Sequence, residues 1–299
     1  MIYGGLPTRH GVSPSCVGLP AGNWPTFTDF LVERFPAISR RTWLERMAAG
    51  LVVDEFGAAV TPQRTYRGHM RLYYYRALAD ETRIPFEAAV LFQDEHLVVA
   101  DKPHFLPVTP SGHYLQETLL VRLKNQLGLD SLTPLHRIDR ETAGLVLFSV
   151  RPSDRNAYQV LFRQHSIRKH YEAIAPWRSD LVFPIVRQTR IEEGEPFFRQ
   201  HEVPGAPNSE THIDILEVRG QLARYALSPV TGKKHQLRVH MNALGLPILN
   251  DHMYPPVSVT PADDFEHPLQ LLARSITFTD PITGQQRRFD SALRLGEWP

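Results

Sequence analysis

Beyond Pro85 the chain is a series of short apolar runs cut apart by proline and glycine, with few stretches of helical spacing. That rhythm restricts the fold more than any other feature of the sequence. Strands are expected at Leu97–Ala100, Leu145–Val150, His170–Ile174, His212–Val218, Ala223–Ser228, Gln270–Arg274 and Ile276–Thr279. Helices are expected at Gln116–Leu127, Asp154–His165 and Lys234–Leu244, the last stopped by Gly245. "DPITGQQRRF" supplies a Pro–Gly turn between two late strands. Strands before, between and after sparse helices argue an α+β fold with a central, mostly antiparallel sheet. At 299 residues the chain is long enough to bury a sizeable core, one large domain with something smaller beside it.

The smaller part lies at the N-terminus. Residues 1–25, rich in Gly, Pro and Ser, read as a loosely ordered arm. Residues 26–84 read as a module with helices first and a small sheet after. Phe30, Leu31 and Phe35 share one face of a first helix, and Ser39 can cap a second, in which Trp43, Leu44 and Met47 recur at helical spacing before Gly50 ends it. Strand-like Leu51–Asp54 and Met70–Leu78 follow. The larger domain is expected over 85–299.

One cysteine, Cys16, excludes an internal disulfide framework and a Cys-cluster zinc site. The N-terminal stretch has no uninterrupted apolar core, and no segment approaches the roughly 18 apolar residues of a membrane span. The expectation is a cytoplasmic monomer with no membrane partner. A net charge of +1 names no partner, but its distribution does. Arg219, Arg224, Lys233, Lys234 and Arg238 fall in a stretch, Arg219–Asn250, without a single Asp or Glu, and Arg151–Arg178 carries six Arg or Lys against Asp154 and Glu172. Such segregation suits a groove for a polyanion.

Three constellations could carry chemistry. In "TPLHRIDRETAGLVLF", Asp139 stands just ahead of an apolar strand, so its carboxylate would emerge at a sheet edge into a cleft, with Arg137 on its side and His136 opposite. The plain alternative is a structural ion pair at a strand start. In "PVTGKKHQLRVHMNALGLPILND", a helix bears an apolar stripe of Leu237, Met241 and Leu244 with Arg238 at its border, where a guanidinium would keep a partly buried carboxylate anionic. In "KHYEAIAP", Tyr171 alternates with His170 and Glu172 on a strand, either as a core aromatic or as a ring on which a planar base stacks. His235 and His240 are five apart, on different helix faces, unlike the spacing of zinc-protease helices, so no metal site is expected. Phosphate-loop and dinucleotide fingerprints are absent as well.

Together these stretches resemble the RluA-type family of RNA pseudouridine synthases. "HRIDRETAGL" fits that family's signature HRxDxxTxGL and matches Asp139 to its catalytic aspartate; "KHYEAI" matches Tyr171 to its active-site tyrosine; "TGKKHQLRVH" matches its third motif, with Arg238 as the partner of the aspartate. Lys233 stands where Arg is usual, a point charge in place of a bidentate fork. "DKPHFLPV" resembles the early Lys-Pro motif, with His104 and Phe105 where a small residue and Gly are usual, and "LQLLAR" resembles the late strand that places an apolar side chain, here Leu271, beneath the base. "SRRTWLERMAAGLVV" resembles the small RNA-binding module of ribosomal protein S-four, with Arg40 and Arg41 at matching positions.

The resemblance implies the pseudouridine synthase fold with a cleft across its sheet, and the isomerisation of specific uridines in structured ribosomal or transfer RNA. It implies Asp139, Tyr171 and Arg238 as catalytic residues, with His136, Arg137, Thr142, Lys233, Lys234, His235, Gln236 and Leu271 lining the substrate. No atom enters or leaves in that reaction, so neither cofactor nor metal is called for. The rival expectations are a non-catalytic RNA-binding or assembly factor and a hydrolase of the nucleoside bond.

Overall fold

The computed structural model describes residues 6–76, 81–196, 198–254 and 265–296. The chain forms two compact units: Met1–Glu81 with Pro110–Glu117 and Val121–Ser131, and Thr82–Thr109 with Thr118–Leu120 and Leu132–Pro299. Two stretches beyond residue 85, Pro110–Glu117 and Val121–Ser131, belong to the smaller unit.

In the first unit, β1 (Ser15–Gly18), β2 (Val52–Asp54) and β3 (Arg71–Tyr74) form a sheet in the order β1-β3-β2. Helix α1 (Phe27–Arg34) opens with a capping box, in which Thr26 accepts from the Asp29 amide and the Asp29 carboxylate accepts from the Thr26 amide. Helix α2 (Arg40–Ala48) is capped by Ser39, as its sequence suggested. Phe27, Phe30, Leu31, Trp43 and Met47 pack against Val17, Val52 and Leu72. The expectation of a loose arm over 1–25 fails for 6–25, since Val17 and Leu19 alternate inward and β1 supplies the third strand; residues 1–5 lie outside the described residues, as do Ala77 and Leu78 of the late strand-like run.

The second unit is built on β4 (Ala89–Gln93), β5 (Leu97–Lys102), β6 (Thr133–Pro134), β7 (Ala143–Ser149), β8 (Arg168–Pro176), β9 (Ile185–Glu193), β10 (Gln200–Val203), β11 (Ser209–Arg219), β12 (Leu222–Pro229), β13 (Leu271–Thr279) and β14 (Gln286–Asp290). They join in one sheet of order β10-β9-β11-β12-β8-β13-β7-β5-β4, with β14 on β13 and β6 on β7. All its pairings are antiparallel except β13 with β7. The two late runs expected as separate strands are one strand, β13, with an irregularity between Ala273 and Ser275.

Helix α3 (Leu119–Leu127) contributes residues to both units and starts three residues later than expected, because the amides of Leu115, Gln116 and Glu117 all donate to the Glu81 carboxylate. Helix α4 (Arg155–Arg163) packs through Tyr158, Leu161 and Phe162 against Leu97, Leu145, Leu147 and Phe278. Helix α5 (Gln236–Ala243) packs Leu237 and Met241 against Ala173, Ala175, Tyr225 and Leu271. It begins two residues later than expected: the Gln236 side-chain oxygen accepts from the Thr231 hydroxyl and the Lys233 amide, and His235 is left-handed at φ 55°. Among the described residues no helix is long and apolar enough to cross a membrane.

Candidate active site

Asp139 lies in the connection between β6 and β7, where the Thr142 amide donates to its carbonyl at 3.2 Å and closes a turn. Every residue of β7 is buried, so this turn sits at the mouth of a fully covered strand. The parallel pairing of β7 with β13 brings Gly144 opposite Ala273 at a positive φ of 108°, and a Cβ there would run into the Ala273 backbone. Glycine is therefore required for the two strands to approach. On the other side of β13, Tyr171 pairs with Ala273, and Leu271 pairs with Ala173. The parallel seam between β7 and β13 thus gathers the turn that carries the acid, the start of β13 with Leu271, and the middle of β8 with Tyr171.

Arg238 enters this region from the first turns of α5 and is only 2% exposed. Its Nε and Nη2 donate to Asp251 at 2.7 Å each, and its Nη1 donates to Asp139 at 3.2 Å. The Asp251 side chain is fully buried and also accepts the amides of Met253 and Tyr254, whereas that of Asp139 keeps 27% of its surface. Burial opposes the Arg238 charge, but the bonds and proximity of Asp251 and the field of Asp139 outweigh it and hold its pKa above the ordinary arginine value. The Arg238 guanidinium also lies 5.4 Å over the Tyr254 ring. One guanidinium is thus locked by a buried carboxylate and presents its remaining face to a half-exposed one.

Two neighbours complete the electrostatics. The His235 ring is almost buried, with Nδ1 3.0 Å from the Tyr254 hydroxyl and Nε2 3.9 Å from Asp139, and burial lowers its pKa against the pull of Asp139. Tyr171 is half-buried against Leu271, and burial first, then the charge of Asp139, raises its pKa. Its phenol therefore stays protonated and offers a flat ring and an O–H, not a phenolate. Such a site can stabilise positive charge developing at a sugar carbon beside Asp139 or trap it covalently, while a planar base rests on Tyr171.

The family described as RNA pseudouridylate synthase matches residues 96–243, which include the turn of Asp139, Tyr171 and Arg238. An uncharacterized RNA pseudouridine synthase of Synechocystis sp. is 30% identical over 236 residues, covering 77% of this chain and 80% of the relative. The dual-specificity RNA pseudouridine synthase RluA of Haemophilus influenzae is 32% identical over 205 residues, 68% of this chain and 91% of the relative. The chain belongs to the RNA pseudouridine synthases. The solved structure of human RNA pseudouridylate synthase domain containing 1 shares the fold at a TM-score of 0.56 and 19% identity, covering 69% of this chain and 83% of the other. That of human RNA pseudouridylate synthase domain containing 4 gives 0.53 and 26%, covering 70% and 88%.

Among pseudouridine synthase residues expected at the substrate, Arg137, Lys233 and Lys234 are exposed, whereas Thr142 and Leu271 are buried beside the turn and Tyr171. Two of the expected residues are held by protein partners. His136 Nε2 accepts the Leu147 amide at 3.1 Å, its ring stacks on Phe162 at 4.9 Å, and burial drives its pKa to about 3, which makes it a neutral anchor of the turn. Gln236 is committed to structure, its oxygen to Thr231 and Lys233 and its amide to Glu210 and Thr211, at 4% exposure. In the first unit, Arg40 and Arg41 are exposed on α2 and pair with Asp29 and Glu45.

Sequence reasoning passed over Asp251 and Lys102. Asp251 closes the motif that carries Arg238, and an acid ending a stretch otherwise free of acids was its only signal. Lys102, wholly buried in β5, donates to the carbonyls of Pro103 and Arg140 at 2.9 Å each; burial lowers its pKa to about 7 against the pull of Glu141 and Asp139.

Proposed function

We propose that this site isomerises specific uridines of structured ribosomal or transfer RNA to pseudouridine, with Asp139 as the nucleophile. The observation that carries the reading is the shared guanidinium: Arg238, fixed by two bonds to Asp251 through Nε and Nη2, turns Nη1 to a carboxylate that is itself partly open. The bond from ribose carbon one to uracil N1 breaks, the same ribose carbon bonds to uracil carbon five, the proton on carbon five departs and N1 gains one. The reaction is redox-neutral and uses no cofactor. Asp139 meets the cationic sugar carbon, Arg238 orients it, Tyr171 and Leu271 hold the base from its two sides, and the base reaches them by leaving its stack.

The exposed Arg137 takes the vacated place or a phosphate, while Lys233 and Lys234 track the backbone. The first unit, with Arg40 and Arg41, acts as an S-four-like RNA module ahead of the catalytic domain, and the protein works as a cytoplasmic monomer. The test is product identity. Purified protein should release tritium from RNA labelled at uracil carbon five and leave pseudouridine in the chain. Released free uracil would instead indicate a hydrolase, and stoichiometric RNA binding without product an assembly factor. Comparing pseudouridine maps of cells with and without the gene names the RNA.

A further inference from the structure

Arg238 gives Asp139 one bond of 3.2 Å, too little to fix a carboxylate in place by itself. The backbone behind Asp139 is held differently, by the segment that follows β5. Lys102 Nζ donates to the Arg140 carbonyl at 2.9 Å, and the His104 ring nitrogen Nδ1 lies 2.6 Å from the Glu141 carbonyl, which only a protonated Nδ1 can satisfy. In return Arg140 Nε donates to the Phe105 carbonyl at 3.0 Å. Three side chains, two from one segment and one from the other, thus tie residues 102–105 to residues 140–141.

The Phe105 carbonyl can be met there because Phe105 is left-handed, at φ 66°. That conformation is strained for a bulky residue, and it persists only where the surroundings over-determine it. The Phe105 side chain is 7% exposed, stacked on Phe86 at 5.9 Å and met edge-on by Phe265 at 5.3 Å. Burial lowers the His104 pKa to about 4, so the ring is a neutral donor across the working range of pH.

We propose that His104 and Phe105 are positioning residues, forming with Arg140 a backbone clamp that aims the Asp139 carboxylate into the cleft before RNA arrives. This rests on Asp139 as nucleophile, and it moves the origin of its orientation from the arginine to the main chain. The clamp touches no substrate, so its loss should fall on turnover and spare binding: misplacing a reacting group by about an ångström costs on the order of 100-fold in rate.

The experiment compares single-turnover tritium release at saturating RNA, and RNA Kd, for His104→Ala, His104→Asn and Phe105→Gly. His104→Ala should turn over about 10-fold to 100-fold more slowly with Kd within about twofold. His104→Asn, which restores a short N–H donor, should recover to within about threefold, and Phe105→Gly, which accepts the left-handed backbone but removes the aromatic anchor, should fall between. Unchanged turnover in His104→Ala, or a loss matched by an equal loss of affinity, overturns the clamp. Should His104→Ala not fold, a folded His104→Asn more than about 10-fold slow also overturns it. Inactive wild-type protein, or active Asp139→Asn protein, instead rejects the nucleophile assignment, which keeps the two failures apart.

Discussion

Two segments of the second unit, Thr133–Phe148 and Thr231–Tyr254, each bring a carboxylate to Arg238, and they use it in opposite ways. In the later segment Asp251 takes two bonds of 2.7 Å, gains two backbone amides and has no exposed side-chain surface. In the earlier one Asp139 takes a single longer bond and stays open. Each segment also carries a histidine turned inward as an anchor: His136 on the Leu147 amide, and His240 on the hydroxyls of Thr189, Ser209 and Thr211. The difference teaches that the buried ion pair and the partly open acid are separate, joined only by sharing a cation.

The largest effects should separate the two acids by readout. Asp139→Asn is expected to lose on the order of a thousand-fold or more in turnover, with its unfolding midpoint and RNA affinity nearly kept. Asp251→Asn leaves a buried guanidinium short of its main partner and should cost about 3–5 kcal/mol in urea unfolding. Retained turnover in the first variant, or an undiminished midpoint in the second, would erase the contrast.

A double substitution sharpens it. Arg238→Met alone strands Asp251 as an unpaired buried charge and should destabilise by about 3–5 kcal/mol. Adding Asp251→Leu replaces the pair by apolar volume and should recover most of that loss. Turnover should stay low, because Asp139 still lacks its donor. Recovery of activity together with stability would mean that Arg238 serves the fold alone.

Acid should act on the anchors. Burial lowers the pKa of His136 to about 3 and those of His104 and His240 to about 4, from an ordinary 6.5. Between the folded and unfolded values the unfolded chain binds more protons, so stability is full above about pH 6.5 and falls as pH drops toward 4, by up to about 1.4 kcal/mol per pH unit for each ring. Carboxylates held low, such as Asp154 and Asp280, add their loss only below their ordinary 3.8, a separate window. Urea titrations at pH 7, 6 and 5 should show the decline, and His240→Asn should flatten it. A curve level across that range would show that the anchors do not stay neutral.

How far this layout could be read beforehand differs between the segments. The strand rhythm after Pro85 pointed to a mostly antiparallel sheet, because alternating burial writes itself into composition. The parallel seam between β7 and β13 escaped, since pairing partners distant in sequence leave no local mark. Asp139 and Arg238 were legible through motifs, and their bond at 3.2 Å joins them as expected. Asp251 was not legible, because a lone acid after a helix looks like any turn residue. The internal bonds of His136 and Gln236 were not legible for a related reason: a polar side chain in a motif is as well explained by a buried backbone partner as by a substrate.

The smallest expected effect concerns the exposed start of the later segment. Lys233 and Lys234 precede α5 in the open, while Arg238, four residues on from Lys234, is locked inside. If the two lysines only follow phosphates, removing both should weaken RNA binding several-fold and alike for all sequences. The slope of log affinity against log salt should become shallower by about 0.7–0.9 for each phosphate no longer neutralised, with turnover at saturation untouched. Lys233→Arg should change little, because a single phosphate held as a point charge gains slightly from a fork. Filter binding across a salt series measures all three. A loss confined to the modified site, with the slope unchanged, would make these lysines readers of the target's shape, and the contrast between an exposed start and a buried Arg238 would no longer divide their roles.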